Sequence, residues 1–367
     1  MRAQSRRDRE SGATVQVHAG QRNSLTDVSG LLVGHHYALD PDATLGSGAA
    51  TGSTVVFAPG GATAAVDVRG GGPGTRETDV LDLATTVRQV NALLFTGGSA
   101  YGLAAADGVM RWLEERREGV PMDATDPSRV VPIVPAAVVY DLPLGAWDIR
   151  PTADFGYRAA DAAALDFERG VVGAGVGARA GALKGGIGSA SVVIGEGVAA
   201  GATVSALVVA NSAGSAFDPR TGLPWGVGTD GPDHFGLRPP TAEQLAHANT
   251  LPAKGMRLNT TIGVVATDAP LNPTGCQRLA TAAHDGLARA IRPAHAPFDG
   301  DTFFALATGN WEPPESFPLP PAFPPDVFLV DVLCTAAALC VERAIVDAIL
   351  SAHSVGEVPA YSALFPR

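Results

Sequence analysis

Hydrophobic and polar positions alternate along the chain with two periods. Short runs of Val, Ile, Ala and Thr predict buried strands, and longer segments with apolar residues three or four positions apart predict helices. Strands are predicted at residues 54–57, 64–69, 92–96, 136–140, 190–194, 203–210, 262–267 and 302–308. Helices are predicted at residues 101–117, 155–167, 242–248, 273–291 and 330–352. This alternation fits an α/β protein.

The two ends of the chain differ in character. Residues 1–22 are polar and show neither period, so we expect a disordered N-terminal tail. The last predicted helix, 330–352, is apolar almost all round and should be buried on more than one side. With 367 residues, 46% of them hydrophobic, the chain is long enough for one large domain or two of medium size.

Charge and hydropathy exclude several classes of partner. The net charge of −11 and the sequence pI near 5.1 argue against nucleic acid or an anionic membrane surface as the partner. No apolar run reaches the roughly 20 residues that a membrane span requires, and no apolar segment follows Arg6 and Arg7. We therefore expect a soluble, cytoplasmic protein.

Cysteines, histidines and glycines give weaker signals. Three cysteines make no disulfide framework. Cys276 with His284 would be a possible thiol nucleophile, but eight helical residues separate them by about 12 Å, so a buried structural cysteine is favoured. No metal-ligand spacing occurs, and the glycine-rich stretch 173–186 fails both nucleotide-binding templates. The sequence predicts neither metal nor cofactor.

The stretch Asn259-Thr260-Thr261 precedes the predicted strand 262–267. Threonines are ordinary strand residues, so they could simply begin the strand. A threonine at a chain terminus, however, carries its own base, because an α-amine has a pKa of about 7.7–8.0. Cutting the bond before Thr260 would create that amine, and the Thr260 hydroxyl could itself attack the Asn259 carbonyl in an N-to-O acyl shift.

Several polar residues stand at the ends of predicted strands. Asn211 and Tyr140 are suited to stabilise an oxyanion, or they could be strand-end caps. Lys184 lies among small uncharged residues, which favours a buried and functional lysine over a surface one. Asp299 and Asp301 flank a glycine and could orient a cation or simply form a turn.

Five segments together carry a family resemblance. They are VDVRGGGPGTRETD (66–79), VNALLFTGGSAYGLAAADGVMRWLEE (90–115), LKGGIGSAS (183–191), VVANSAG (208–214) and NTTIGVVATDAP (259–270). In this order they resemble the DmpA family of L-aminopeptidase/D-amidase-esterases and β-aminopeptidases, with the nylon-oligomer hydrolase as a relative. The resemblance covers roughly residues 25 to 350. It implies a self-cleaving N-terminal-nucleophile hydrolase with a four-layer α/β/β/α sandwich of the DmpA and ornithine acetyltransferase type.

The resemblance also implies roles for individual residues. Thr260 matches the nucleophile, with cleavage after Asn259, although DmpA and the β-aminopeptidases use serine at this position. Lys184 matches a lysine that approaches the nucleophile. Asn211 and Tyr140 match residues on the oxyanion side, and Asp299 and Asp301 match the acidic pair ahead of the next strand.

The expected protein is thus a single catalytic domain, residues 23–367, cut into an α-chain 1–259 and a β-chain 260–367. It would hydrolyse small amides or short peptides without cofactor, as a homo-oligomer of αβ units in which a tetramer is favoured. Two alternatives stay open: an acyltransferase of the ornithine acetyltransferase type, which has a related fold and a threonine nucleophile, and a non-enzymatic glycine-rich binding module.

Overall fold

A computed structural model describes residues 15–228, 230–252, 254, 259–313 and 322–366. The strands are β1 Val17–Ala19, β2 Leu32–Leu39, β3 Ala50–Val68, β4 Thr75–Arg76, β5 Gln89–Thr96, β6 Val120–Pro121, β7 Val130–Val131, β8 Ala136–Val138, β9 Arg179–Ala180, β10 Leu183–Lys184, β11 Ile187–Ile194, β12 Thr203–Val209, β13 Ile262–Thr267 and β14 Thr302–Ala307. The α-helices are α1 Ala105–Glu115, α2 Ala153–Asp161, α3 Ala242–Ala248, α4 Pro273–Ala290, α5 Val327–Ser351 and α6 Tyr361–Leu364.

One mixed sheet organises this part of the chain. Its strand order is β1-β11-β12-β13-β14-β3-β5-β8-β4, and β2 also pairs with β3. Most neighbours are antiparallel, whereas β13 with β14 and β5 with β8 are parallel. The segment that leads into β13 therefore runs in the same direction as the segment that leads into β14. The two segments lie side by side at the N-terminal ends of these two central strands.

The long strand β3 curls this sheet into two layers. Its first half pairs with β2 and β5, and its second half pairs with β14. Between the halves, Gly60 and Gly61 have φ angles of 76° and 87°, in the left-handed region that favours glycine. The register with β5 shifts at this point, between Phe57 and Ala62. The predicted strands 54–57 and 64–69 are therefore two parts of one bent strand.

Four layers result from the folding of the sheet on itself. Val56 and Phe95 from one half of the sheet meet Val264 and Phe304 from the other half in a buried apolar core. Helices α4 and α5 cover the outer face of the β11–β14 half, and α1 and α2 cover the outer face of the β3–β5 half. The predicted α/β/β/α sandwich is confirmed, with the two β-layers joined through β3.

The uninterrupted apolar run in β13 follows from what its two faces contact. Ile262 and Val264 face the core between the two sheet layers, and Val265 faces the core beneath α4 and α5. Both faces are buried, so alternating polar residues would have no solvent-exposed side. The apolar strand fixes the position of the two threonines that precede it.

Two predictions at element ends are wrong. Residues 15–22 are ordered, because Val17–Ala19 form an edge strand whose backbone pairs with β11, and backbone pairing does not require apolar side chains. Residues 1–14 lie outside the described residues. The helix predicted at 155–167 ends at Asp161, because Ala164 exchanges both backbone hydrogen bonds with Val33 at 3.0 Å.

Helix α5 contacts α4, β11 and β12, as its apolar circumference predicts. Within the described segments, none of the helices combines the length and the hydropathy that a membrane span requires.

Candidate active site

Thr260 lies just before β13 and is almost fully buried, with 4% of its surface exposed. Its backbone N–H donates a hydrogen bond to the carbonyl oxygen of Asn211 at 3.1 Å. Its hydroxyl Oγ1 donates to the carbonyl oxygen of the preceding residue, Asn259. The hydroxyl therefore lies beside the carbonyl group of the Asn259–Thr260 peptide bond.

Gly300 holds the same carbonyl group from the neighbouring strand. Its N–H donates to the Asn259 oxygen at 2.9 Å, and the Asn259 N–H donates to the Phe298 oxygen at 3.1 Å. These bonds extend the parallel pairing of β13 and β14 beyond the regular strands. A Cβ atom on residue 300 would lie 2.9 Å from Thr260 Oγ1. Glycine is required here because the backbone approaches the hydroxyl so closely.

The two aspartates that flank Gly300 accept hydrogen bonds from neighbouring segments of the site. Asp301 is 2% exposed, and its Oδ1 accepts a hydrogen bond from the Thr261 N–H at 2.8 Å. Its Oδ2 accepts from His295 Nδ1 at 2.8 Å. Asp299 accepts from the backbone N–H of Ala213 at 3.3 Å. Burial and the nearby Asp301 charge both raise the pKa of Asp299.

Asn211 follows β12 and is fully buried. Its carbonyl oxygen accepts a hydrogen bond from the backbone N–H of Thr260. Its side-chain Oδ1 accepts from the backbone N–H of Arg179 at 3.0 Å. Its Nδ2 is directed at the carbonyl oxygen of Tyr140, 3.5 Å away. The structure thus brings the Tyr140 backbone close to Asn211, and Asn211 contacts Thr260. The oxyanion role of both residues stays a prediction.

Lys184 is fully buried, as its apolar surroundings predict. Its Nζ donates to the backbone oxygens of Gly175 at 2.9 Å, Ala178 at 2.7 Å and Gly185 at 2.9 Å. Burial lowers the pKa of Lys184 to about 7. Each hydrogen bond described for this amine runs to a backbone carbonyl, so the contacts seen here hold the 175–185 loop. A direct contact with Thr260 is not among them.

Two residues of this site were not predicted from the sequence. The first is Asp141, which is 2% exposed and accepts from Thr51 Oγ1 at 2.7 Å and from the Gly98 N–H at 2.6 Å. Burial raises the pKa of Asp141 to about 6, and the Lys184 charge opposes that rise. Asp141 directly follows Tyr140, but an aspartate after a strand is too common to indicate a site.

The second is Lys254, six positions before Thr260. Its Nζ donates to the Arg179 oxygen at 2.8 Å, to the Asn211 oxygen at 3.1 Å and to Asn211 Oδ1 at 2.8 Å. A signal for it was present in the composition. Of the 26 basic residues, only Lys184 and Lys254 are lysines, and the other 24 are arginines. Both lysines hold carbonyl groups of the same loop.

Little free space is left among these groups. A cavity of about 10 Å³ is lined by Tyr140, Asp141, Pro143, Leu144, Gly177, Arg179 and Lys254. That volume is roughly what one water molecule requires.

The thiol considered in the sequence analysis, Cys276, lies buried in helix α4. Burial raises the pKa of the Cys276 thiol to about 12, so the thiol is protonated at neutral pH. In the described ranges, no three His, Cys, Asp or Glu side chains come together in a group that could hold a metal ion.

Comparison with known proteins identifies the family. The sequence model of peptidase family S58 matches residues 23–360 of this chain. The chain belongs to peptidase family S58. An uncharacterized aminopeptidase of Mycobacterium tuberculosis is 57% identical over 348 residues, which cover 94% of this chain and 98% of that protein. A 6-aminohexanoate-oligomer endohydrolase of a Kocuria species is 31% identical over 307 residues, which cover 82% of this chain and 79% of that protein.

Solved structures agree with this family membership. A Burkholderia β-aminopeptidase superposes with a TM-score of 0.69 at 26% identity, covering 96% of this chain and 95% of that one. The L-aminopeptidase D-Ala-esterase/amidase of Ochrobactrum anthropi, described as a variant of the Ntn hydrolase fold, gives a TM-score of 0.69 at 24% identity over 95% and 91% of the two chains. The S58 protein described here is an aminopeptidase-type hydrolase with that fold.

Proposed function

We propose that the S58 chain cleaves its own Asn259–Thr260 bond and that Thr260, as the new N-terminus, hydrolyses amide bonds of small aminoacyl compounds or short peptides. The observation that carries this proposal is the geometry around the Asn259 carbonyl. The Thr260 hydroxyl donates to its oxygen, and the Gly300 N–H donates to the same oxygen at 2.9 Å. Attacker and oxyanion donor are thus both present at one peptide bond.

Self-cleavage would proceed through an ester. Thr260 Oγ1 attacks the Asn259 carbonyl carbon, and the negative charge that develops on the oxygen is stabilised by the Gly300 N–H. The C–N bond then breaks, and the Thr260 nitrogen takes up the hydroxyl proton as it becomes an amine. Water hydrolyses the ester, which frees the Asn259 carboxylate and restores the Thr260 hydroxyl.

Substrate hydrolysis would use the same hydroxyl with the new amine as base. In the uncleaved chain the Thr260 nitrogen donates to the Asn211 oxygen, which would keep the free amine beside Oγ1. The amine accepts the hydroxyl proton during attack and returns it to the leaving amine. The substrate acyl group is held as an ester on Oγ1 until water releases it. Asn211 Nδ2 and Tyr140 are the proposed oxyanion-side groups, and Asp299 and Asp301 keep the backbone around Thr260 in place.

The neighbouring threonine provides a matched control for this proposal. Thr260→Ala should remain uncleaved and fail to release p-nitroaniline from aminoacyl p-nitroanilides, whereas Thr260→Ser should retain cleavage because it keeps the hydroxyl. Thr261 is fully buried, and its Oγ1 has no hydrogen-bond partner among the described residues. Thr261→Val should therefore cleave and hydrolyse like the wild type. Cleavage and hydrolysis by Thr260→Ala would remove Thr260 from the mechanism.

Acyl transfer is the alternative outcome of the same ester intermediate. Water is favoured as the acceptor because the family is one of peptidases. Efficient acetyl transfer from N-acetylornithine to glutamate, with negligible hydrolysis of every amide tested, would move the assignment to an acyltransferase.

Assembly of αβ units into a homo-oligomer, with a tetramer favoured, remains a prediction.

A further inference from the structure

The Asp301 carboxylate joins His295 to the backbone of Thr261. Its Oδ1 accepts a hydrogen bond from the Thr261 N–H at 2.8 Å. Its Oδ2 accepts from His295 Nδ1 at 2.8 Å and from the His295 N–H at 3.1 Å. An ionised carboxylate only accepts, so Nδ1 carries the proton in this contact. Asp301 is 2% exposed, and hydrogen bonds to a charged group are stronger than those between neutral groups.

The backbone conformation of His295 indicates a role for its side chain. Its φ angle is 56°, in the left-handed region that favours glycine. A residue with a Cβ atom persists in that region only where the surrounding contacts determine its conformation. The chain has glycine at 44 positions, yet histidine stands here. The Nδ1 hydrogen bond to Asp301 is the contact that a glycine could not make.

A second histidine packs against the His295 ring. His284 meets it in edge-to-face geometry with 4.9 Å between the ring centroids, and Phe303 meets His284 in the same way at 5.1 Å. His284 Nε2 donates to the backbone oxygen of Asp67 at 3.0 Å. Burial lowers the pKa of His284 to about 4, so this ring is neutral at neutral pH. His284 therefore orients the His295 ring without placing a positive charge beside it.

The hydrogen bond from Thr261 to Asp301 matters most after the chain has been cut. In the uncleaved chain, covalent bonds hold Thr260 from both sides. After the proposed cleavage, Thr260 is connected through Thr261 alone. Asp301 holds the Thr261 N–H, and the Thr302 N–H donates to the Thr261 oxygen at 3.2 Å. A looser Thr261 would displace the Thr260 hydroxyl, and a displacement of about 1 Å can lower a reaction rate about 100-fold.

We propose that His295 is a positioning residue for Thr260, and that it acts through the Asp301 carboxylate and the Thr261 backbone in both self-cleavage and hydrolysis. The proposal rests on the function proposed above and adds a residue to its machinery. His295 acts through its hydrogen bonds to Asp301 and not on the reacting atoms. Its removal should therefore lower kcat and leave KM almost unchanged.

Two substitutions separate the imidazole donor from the backbone conformation. Glycine and asparagine both tolerate a left-handed φ angle. His295→Gly removes Nδ1 and keeps the backbone N–H that also donates to Asp301. His295→Asn places an amide Nδ2, which is also a donor, where Nδ1 lies.

The kinetic test compares these variants in self-cleavage and in aminoacyl p-nitroanilide hydrolysis. His295→Gly should lower kcat about 10-fold, as expected for the loss of one hydrogen bond to a charged group, and uncleaved chain should accumulate on a denaturing gel. His295→Asn should recover most of both activities. His353 is an exposed histidine, and His353→Asn should behave like the wild type. Wild-type kcat in His295→Gly, or a loss that His295→Asn does not reverse, would overturn the positioning role.

Amide hydrogen exchange, followed by NMR, tests the same role without relying on activity. In uncleaved Thr260→Ala protein, the Thr261 N–H should exchange about 10-fold faster with His295→Gly than with His295→Asn. Equal exchange would overturn the proposal. If the glycine variant does not fold, His295→Asp replaces it, because aspartate has the shape of asparagine but repels the Asp301 carboxylate. A wild-type chain that neither cleaves itself nor hydrolyses amides would instead contradict the proposed function, and the exchange rates would still decide on His295.

Discussion

The pKa of Lys184 is a prediction that can be worked out from its surroundings. The side chain is fully buried, and burial lowers its pKa from 10.5 to about 7, with Asp141 opposing the change and the Arg179 charge adding to it. The difference between these two values corresponds to about 5 kcal/mol of preference for the neutral amine in the folded state. Three backbone acceptors favour the ammonium form, so the measured value tests which influence dominates.

The sign of the linked stability follows from proton counting. Between pH 7 and 10.5 the folded protein binds fewer protons at Lys184 than the unfolded chain does. The free energy of unfolding should therefore rise with pH across that window. Asp141 contributes in a lower range, because its pKa is raised to about 6 from 3.8. The folded state binds more protons there, and stability should fall as the pH rises from 3.8 to 6.

The composition of the chain makes the measurement simple. Lysine labelled with ¹³C at the ε carbon gives two resonances, because Lys184 and Lys254 are the only lysines. Uncleaved Thr260→Ala protein is the sample, and the additional change Lys254→Met assigns the signals. The Lys184 resonance should titrate with a midpoint near pH 7. A midpoint of about 10 or above, close to the value for a free lysine, would show that the carbonyl groups stabilise the ammonium and that burial does not control the titration.

Two further substitutions test local and global packing. Gly300→Ala places a Cβ 2.9 Å from Thr260 Oγ1 and 2.7 Å from the Gly72 oxygen. Uncleaved chain should therefore accumulate on a denaturing gel. Cleavage at the wild-type rate would contradict the close approach of the backbone to the hydroxyl. Phe304→Ala empties a fully buried position between the two sheet layers and should lower the free energy of unfolding by about 3–5 kcal/mol, measured by denaturant titration in Thr260→Ala protein. A loss below about 1 kcal/mol would contradict the buried position of this side chain.

The sequence predicts best the strands that are buried on both faces. Residues 262–267 and 302–308 contain uninterrupted apolar runs, and they form β13 and β14 with almost the predicted bounds. Their ends carry Thr260 and the pair Asp299 and Asp301, so these residues also come together as expected. Lys184 is buried as predicted, because a lone lysine among small apolar residues has no route to solvent.

The missed elements depend on tertiary contacts. Strand β2, Leu32–Leu39, contains Gly34, His35, His36 and Tyr37, and it is a strand because it pairs along its whole length with β3. Gly34 is required there since a Cβ would lie 2.1 Å from the Ala159 oxygen of helix α2. Neither requirement is visible in the local pattern.

Lys254 escaped sequence reasoning for a similar reason. Its neighbours in sequence suggest no site, and its partners, Arg179 and Asn211, are far away along the chain. The role of Asp141 in holding the Gly98 backbone likewise depends on a contact 43 positions away in sequence.

The central claim is that the chain creates its own catalytic N-terminus, and intact-mass spectrometry with N-terminal sequencing of freshly purified protein tests it most directly. Two polypeptides, residues 1–259 and 260–367, should replace the full-length chain, and the shorter one should begin with Thr260 followed by Thr261. A single full-length chain in folded, purified protein would contradict self-cleavage. A shorter chain that begins at Thr261 would show that the wrong threonine was assigned as the nucleophile.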